Sequence, residues 1–212
     1  MLPEEQLIQE RLKKLNKIKK LGINPYPYKF DVKNFSSEIL EKYKKLGKQG
    51  KSHDKVSLAG RIMTFRLMGK ACFGHIQDQS GKIQFYIRED ENEEDYKLVK
   101  LLDLGDIIGI EGIVFRTKTN EITVRIKKLT LLSKSLRPLP EKWHGLKDPE
   151  LRYRQRYVDL IVNPDVKETF IKRTRIIEAI KEFMNSKGYL EVKTPVLQPI
   201  YGGANARPFK SH

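Results

Sequence analysis

Residues 71–88 read A-C-F-G-H-I-Q-D-Q-S-G-K-I-Q-F-Y-I-R. Cys72, Gly74 and Ile76 fall on one side of an extended chain, and Phe73, His75 and Gln77 on the other. Ile83, Phe85 and Ile87 alternate with Gln84, Tyr86 and Arg88. A period of two marks strands buried on one face only. Gln79-Ser80-Gly81 supplies the turn between them.

The same grammar extends outward. Val56, Leu58, Gly60 and Ile62 alternate upstream, and an acidic segment with helical character, 91–102, comes after. Residues 106–115 and 121–132 read as a closing hairpin around Thr117-Lys118-Thr119-Asn120. Three strands, a helix and two strands is the order of an OB-fold, a small barrel that binds oligonucleotides on one face. The pleat selects that face. With the apolar set inward, Phe73, Gln84 and Glu121 turn outward. A phenyl ring there suits base stacking. An amide and a carboxylate beside it suit the edge of an unstacked base, and Arg61 and Arg66 suit phosphate.

Before the barrel, residues 4–21 read as a helix with Glu4 and Glu5 in its first turn, closed by Gly22. Its last two turns are crowded with lysines, either a solvated face or a phosphate-tracking arm. Asn24-Pro25-Tyr26-Pro27-Tyr28 must be extended. A short helix runs from Ser36/Ser37 to near Gly47, and polar 47–55 reads as a linker. After the barrel, S-L-R-P-L-P at 135–140 breaks the pattern as a hinge. Asn163 caps a basic amphipathic helix that opens on Pro164 and closes at Gly188. Tyr189–Val192 reads as a short strand ended by Thr194-Pro195.

The chain has 212 residues and a net charge of +15, a balance that favours a polyanionic partner. One cysteine, Cys72, excludes an internal disulfide framework and fits a reducing, cytoplasmic setting. No apolar run is long enough to span a bilayer, so no membrane partner is expected. The histidines show no metal-ligand spacing.

Several segments resemble the class II lysyl-tRNA synthetases. K-G-Y-L-E-V-K-T-P-V-L at 187–197 is similar to their motif 1, and G-G-A-N-A-R-P-F at 202–209 to a segment of the lysine-specific members. A-G-R-I-M-T-F-R-L-M-G-K-A-C-F-G-H-I-Q-D at 59–78 resembles their anticodon-binding domain. The resemblance implies an α+β, mostly β chain: a helical extension over 1–52, the OB-fold over 53–135, a hinge over 136–160 and the start of a catalytic domain over 161–212. It implies ATP-dependent activation of lysine, with Mg²⁺, and transfer to the 3′ end of the lysine tRNA by a homodimer. By position it makes Phe73 the ring under the central anticodon uridine, Gln84 and Glu121 its readers, and Arg66 a further contact. It places Gly202 and Gly203 at the lysine substrate and Pro195 at the subunit two-fold. Motifs 2 and 3, which carry the ATP chemistry in this family, do not occur in the 212 residues. No catalytic residue is therefore expected here, and the chain alone is expected to bind tRNA without aminoacylating it. Two other readings stay open: a stand-alone OB-fold nucleic-acid-binding module, and an aspartyl- or asparaginyl-tRNA synthetase.

Overall fold

The computed structural model describes residues 4–140, 146 and 148–196. The chain divides into two compact units, Met1–Pro140 and Glu141–His212.

The first unit is a closed five-stranded barrel with helices packed on it. Its elements are α1 (Glu4–Lys20), α2 (Ser36–Lys42), β1 (Lys51–Met68), β2 (Ala71–Gln77), β3 (Lys82–Arg88), α3 (Glu93–Val99), β4 (Ile107–Arg116) and β5 (Ile122–Ser133). Around the barrel the strands run β1-β2-β3-β5-β4, with β4 returning to β1. All neighbours are antiparallel except β3 and β5. Closure leaves no free edge, which suits strands with an apolar inner face and a wetted outer one. The inward residues of the sequence pattern fill the core: Leu58, Ile62, Cys72, Ile76, Ile87 and Val124 are all 1% exposed or less.

Several elements differ from their sequence reading. β1 begins at Lys51, inside the stretch read as a linker, and the expected division at 52/53 falls within this strand. Lys51 pairs with Phe115, so the polar start of β1 is held by backbone hydrogen bonds rather than side-chain burial. α2 stops at Lys42, where Tyr43 turns its hydroxyl onto Asp54 at 2.7 Å. α1 is not a free arm. Ile18 joins the barrel core, Lys14 pairs with Asp103 at 2.6 Å, and Arg11 donates to the carbonyls of Ser135 and Arg137 at 2.9 and 3.1 Å.

In the second unit α4 (Pro149–Arg154), α5 (Arg156–Val162) and α6 (Pro164–Ser186) succeed one another. They are knotted at Asp159, which is fully buried and accepts from Arg152 Nε at 3.0 Å, Asn163 Nδ2 at 2.6 Å and Arg156. Arg152 and Arg156 are therefore structural. α6 starts directly after Asn163, whose side chain turns to Asp159 and makes no cap hydrogen bond, and it ends ahead of Gly188 at φ +86°. Its apolar stripe is open: Ile180 and Phe183 are 58% and 60% exposed. The strand expected at Tyr189–Val192 is not formed. A strand needs a ladder partner, and among the described residues of this unit none runs beside it. Pro195 is exposed. Gly202 and Gly203 lie outside the described residues.

Candidate nucleic-acid interface

The outer face of β1, β2, β3 and β5 carries two parallel rows of side chains. One row is Arg66, Phe73, Tyr86 and Arg125; the other is Thr64, His75, Gln84 and Thr123. A bulge aligns them. Ile62 pairs with Ile76, but Thr64 pairs with His75, so Met63 is an extra residue in β1. An extra residue reverses the parity of the strand beyond it. Even-numbered side chains point inward up to Ile62 and outward from Thr64 on, which delivers Arg66 to the side of Phe73. Gly74 makes this close approach possible: a Cβ there would lie 2.5 Å from both the Thr64 carbonyl oxygen and the Phe85 ring.

The aromatic group is larger than one ring. Phe73 lies 4.5 Å from Tyr86, centroid to centroid, in a tilted arrangement, and Tyr86 lies 5.9 Å from Phe115, edge-on. All three are half-buried, and a cluster of this kind suits the stacking of a further planar group. Burial raises the Tyr86 hydroxyl above its ordinary pKa, and behind the face burial pushes the Cys72 thiol up to about 12, so this cysteine is an inert core residue.

The polar group lies beside the rings. Gln84 Nε2 donates to Glu121 Oε2 at 2.6 Å, and Gln84 Oε1 accepts from Thr123 Oγ1 at 2.6 Å. The other Glu121 oxygen meets His75 Nε2 at 2.8 Å, and His75 Nδ1 meets Thr64 Oγ1 at 2.7 Å. Glu121 stands just ahead of β5, on a turn closed by its own N–H to Thr117 Oγ1 at 3.0 Å and by Asn120 at φ +70°. The amide of Gln84 keeps one N–H and one lone pair unused, and the carboxylate keeps lone pairs on both oxygens. Together they offer a donor and an acceptor to the edge of a planar heterocycle lying on the rings.

Charge around the site is unevenly committed. Arg125 is paired with Glu91, and that contact holds the Glu91 carboxyl below its ordinary range. Arg66 is exposed and has no ion pair among the described residues. Arg61 is elsewhere: it pairs with Gln77 on β2, four residues from Phe73 and so roughly 13 Å away along the strand. Its Nη1 donates to the Gly105 carbonyl at 2.8 Å, and burial lowers its pKa.

Of the residues selected from the sequence, the fold thus brings together Phe73, Gln84, Glu121 and Arg66, and leaves Arg61 at the far end. Sequence reasoning missed Tyr86, Phe115, His75, Thr64 and Thr123. Strand parity already placed His75 and Tyr86 on this face. Nothing in the sequence marked the bulge that adds Thr64.

Residues 56–132 match the family model described as an OB-fold nucleic acid binding domain, and residues 148–212 match the one described as tRNA synthetases class II (D, K and N). The chain is 56% identical over 208 residues to a lysine–tRNA ligase of Carboxydothermus hydrogenoformans, covering 98% of this chain and 42% of that protein. It is 54% identical over 209 residues to that of Thermoanaerobacter sp., covering 98% and 41%. For that of Fusobacterium nucleatum the identity is 52% over 213 residues, covering 100% and 42%. The chain thus spans about two fifths of the length of the curated relatives it matches. An OB barrel with rings and a paired amide and carboxylate on its outer face, continuing into a segment of the synthetase domain, places the chain in the class II tRNA synthetases of the D, K and N group.

Proposed function

We propose that the chain is the tRNA-reading portion of a lysine–tRNA ligase, the enzyme that activates lysine with ATP and transfers it to the 3′ end of its tRNA. Phe73 stacks on the central uridine of the anticodon, with Tyr86 and Phe115 backing the ring. Gln84 and Glu121 read the edge of that base, and Arg66 holds an adjacent phosphate. Arg61, turned onto Gly105, takes no part in this group.

One observation carries the reading: an amide and a carboxylate, hydrogen-bonded to each other at 2.6 Å, stand beside an outward phenyl ring on a nucleic-acid-binding barrel. Uracil presents an N3–H flanked by two carbonyls. A carboxylate accepts from N3–H, and the free N–H of Gln84 donates to a neighbouring carbonyl. Cytosine has a lone pair at N3, which the carboxylate repels. The test is binding of the 212-residue chain to an anticodon stem-loop RNA carrying each of the four bases at the central position. Preference for uridine is expected, and equal affinity for all four would sink the reading.

Gly202 and Gly203 are proposed to let backbone groups approach the lysine substrate closely. Pro195 and the open stripe of α6 are proposed to meet a second subunit. ATP and Mg²⁺ belong to the proposed reaction. Among the described residues no group of three or more His, Cys, Asp or Glu is placed to hold a metal ion, and no step is assigned to these residues. No helix among the described residues is long and apolar enough to cross a membrane, and a cytoplasmic location is proposed.

A further inference from the structure

We infer that His75 is a positioning residue of the base-reading site: it never touches the base, but it fixes the carboxylate that does. The inference rests on the uridine reading proposed above and extends it.

Glu121 needs an external anchor. It precedes β5, on a turn, and its side chain is 44% exposed, so packing does not select its rotamer. Two neighbours do. Gln84 holds one carboxylate oxygen and His75 the other. The proton arrangement is set by chemistry. An ionised carboxylate only accepts, so His75 Nε2 carries a hydrogen. In the neutral ring Nδ1 then has a lone pair, and it accepts from the Thr64 hydroxyl. Thr64 reaches Nδ1 because of the extra residue Met63, which sets it directly opposite His75. In the row Thr64–His75–Glu121–Gln84–Thr123 the hydrogen bonds thus converge on the Glu121 carboxylate from both ends. This arrangement leaves the Glu121 lone pairs beside Gln84 directed at the base and fixes which way the Gln84 amide faces.

Without the imidazole, Glu121 keeps one anchor and gains rotamers that turn it away from the base. Discrimination should suffer more than overall affinity, because ring stacking and phosphate contacts remain. A hydrogen bond to a charged group at a half-exposed site corresponds to roughly tenfold in the uridine-over-cytidine ratio.

The experiment uses the whole 212-residue chain and two stem-loop RNAs that differ only in a central uridine or cytidine. The wild type is expected to prefer uridine, and Glu121→Gln to lose that preference. His75→Leu should lower the ratio about tenfold, and His75→Gln, whose amide N–H can still reach Glu121, should restore most of it. The ratio is the readout, since a merely structural role would weaken both RNAs alike. Should His75→Leu fail to fold, Thr64→Val leaves the ring in place and should lower the ratio in part. Nitrogen NMR of the wild type should show the His75 ring protonated at Nε2. Loss of preference in Glu121→Gln but none in His75→Leu or Thr64→Val would overturn the inference and leave the uridine reading standing. So would a neutral ring protonated at Nδ1 alone. A wild type with no preference would overturn both.

Discussion

Replacing Lys134 by methionine should destabilise the barrel far more than removing a lysine usually does. Lys134 comes directly after β5 and is fully buried. Its ammonium donates to Asp106 Oδ2 at 2.7 Å, Asp103 Oδ2 at 2.5 Å and the Leu101 carbonyl at 3.1 Å, which uses all three hydrogens. Asp106 is also fully buried and receives backbone N–H groups from Asp103 and Ser135, each at 2.8 Å. Methionine preserves most of the packed stem and removes the charge together with its three donors. Asp106 is then a buried carboxylate with two amide donors and no counter-ion, a loss of about 3–5 kcal/mol. With a urea dependence of about 1–3 kcal/mol per molar, the midpoint of unfolding should fall by at least about 1 M. Far-UV circular dichroism against urea measures it. Adding Asp106→Asn should recover about half of the loss, because the orphaned charge is gone while one acceptor oxygen stays. The cluster adjoins Gly105, at the Arg61 end of the barrel, so folded Lys134→Met should bind RNA stem-loops normally. A loss under about 1 kcal/mol, or a double variant no more stable than the single one, would refute the argument that the uncompensated carboxylate sets the cost.

Phe73→Ala should weaken binding of a uridine-centred stem-loop by roughly 1–3 kcal/mol, the worth of one stacked base, with the unfolding midpoint little changed; fluorescence anisotropy showing unchanged affinity would remove the ring from the site. Gly112→Ala places a Cβ against the backbone of Arg125 and Ile126, where neither strand can yield locally. A loss of about 1–3 kcal/mol or more is expected in urea unfolding, and a neutral substitution would mean that β4 and β5 part more easily than their register implies. Acid should weaken the fold. Burial raises the carboxyls of Asp78, Asp103 and Asp159, but hydrogen bonds from Ser36, from Lys134 and Lys14, and from Asn163 and Arg152 outweigh it and hold them below the ordinary range. Glu91 is held low chiefly by Arg125. Such groups bind protons less readily folded than unfolded. Their stabilisation is present above the unfolded value, near about pH 4, and is lost as pH falls through the folded values. Urea midpoints that stay level from pH 7 to pH 3 would contradict this.

The barrel was legible because its strands obey one rule each. Alternation at 56–62, 71–77 and 82–88 tells inward from outward, and closure leaves few ways to order five strands. The same rule put Phe73, Gln84 and Glu121 on one face. What stayed illegible depends on contacts far apart in sequence. Lys134, at the end of a strand, reads as a surface lysine until Asp103 and Asp106 close over it. Lysines along α1 read as either a solvated face or an arm until Ile18 is seen in the core. Tyr189–Val192 has the composition of a strand, but composition does not supply a ladder.

Met63 shows where the rule itself gives way, and why that matters for the site. R-I-M-T-F-R-L-M at 61–68 has apolar residues on both parities, so alternation has nothing to choose between. Carried on from Val56–Ile62, it would turn Thr64 and Arg66 into the core and Phe65 out to solvent. Insertion of one residue reverses this: Phe65 faces Gly74 and packs against the core, while Arg66 stands beside Phe73 and Thr64 beside His75. The pieces depend on one another. The bulged strand can lie this close only because residue 74 has no side chain, and the space is filled by the Phe85 ring from β3. A barrel without the bulge would still present Phe73, Gln84 and Glu121, since those belong to β2, β3 and the turn before β5. It would lack the cation beside the ring and the hydroxyl that orients His75. The proposed stacking therefore needs only the strand pattern, whereas the inserted residue adds the hydroxyl that orients His75, one of the two groups that hold the Glu121 carboxylate.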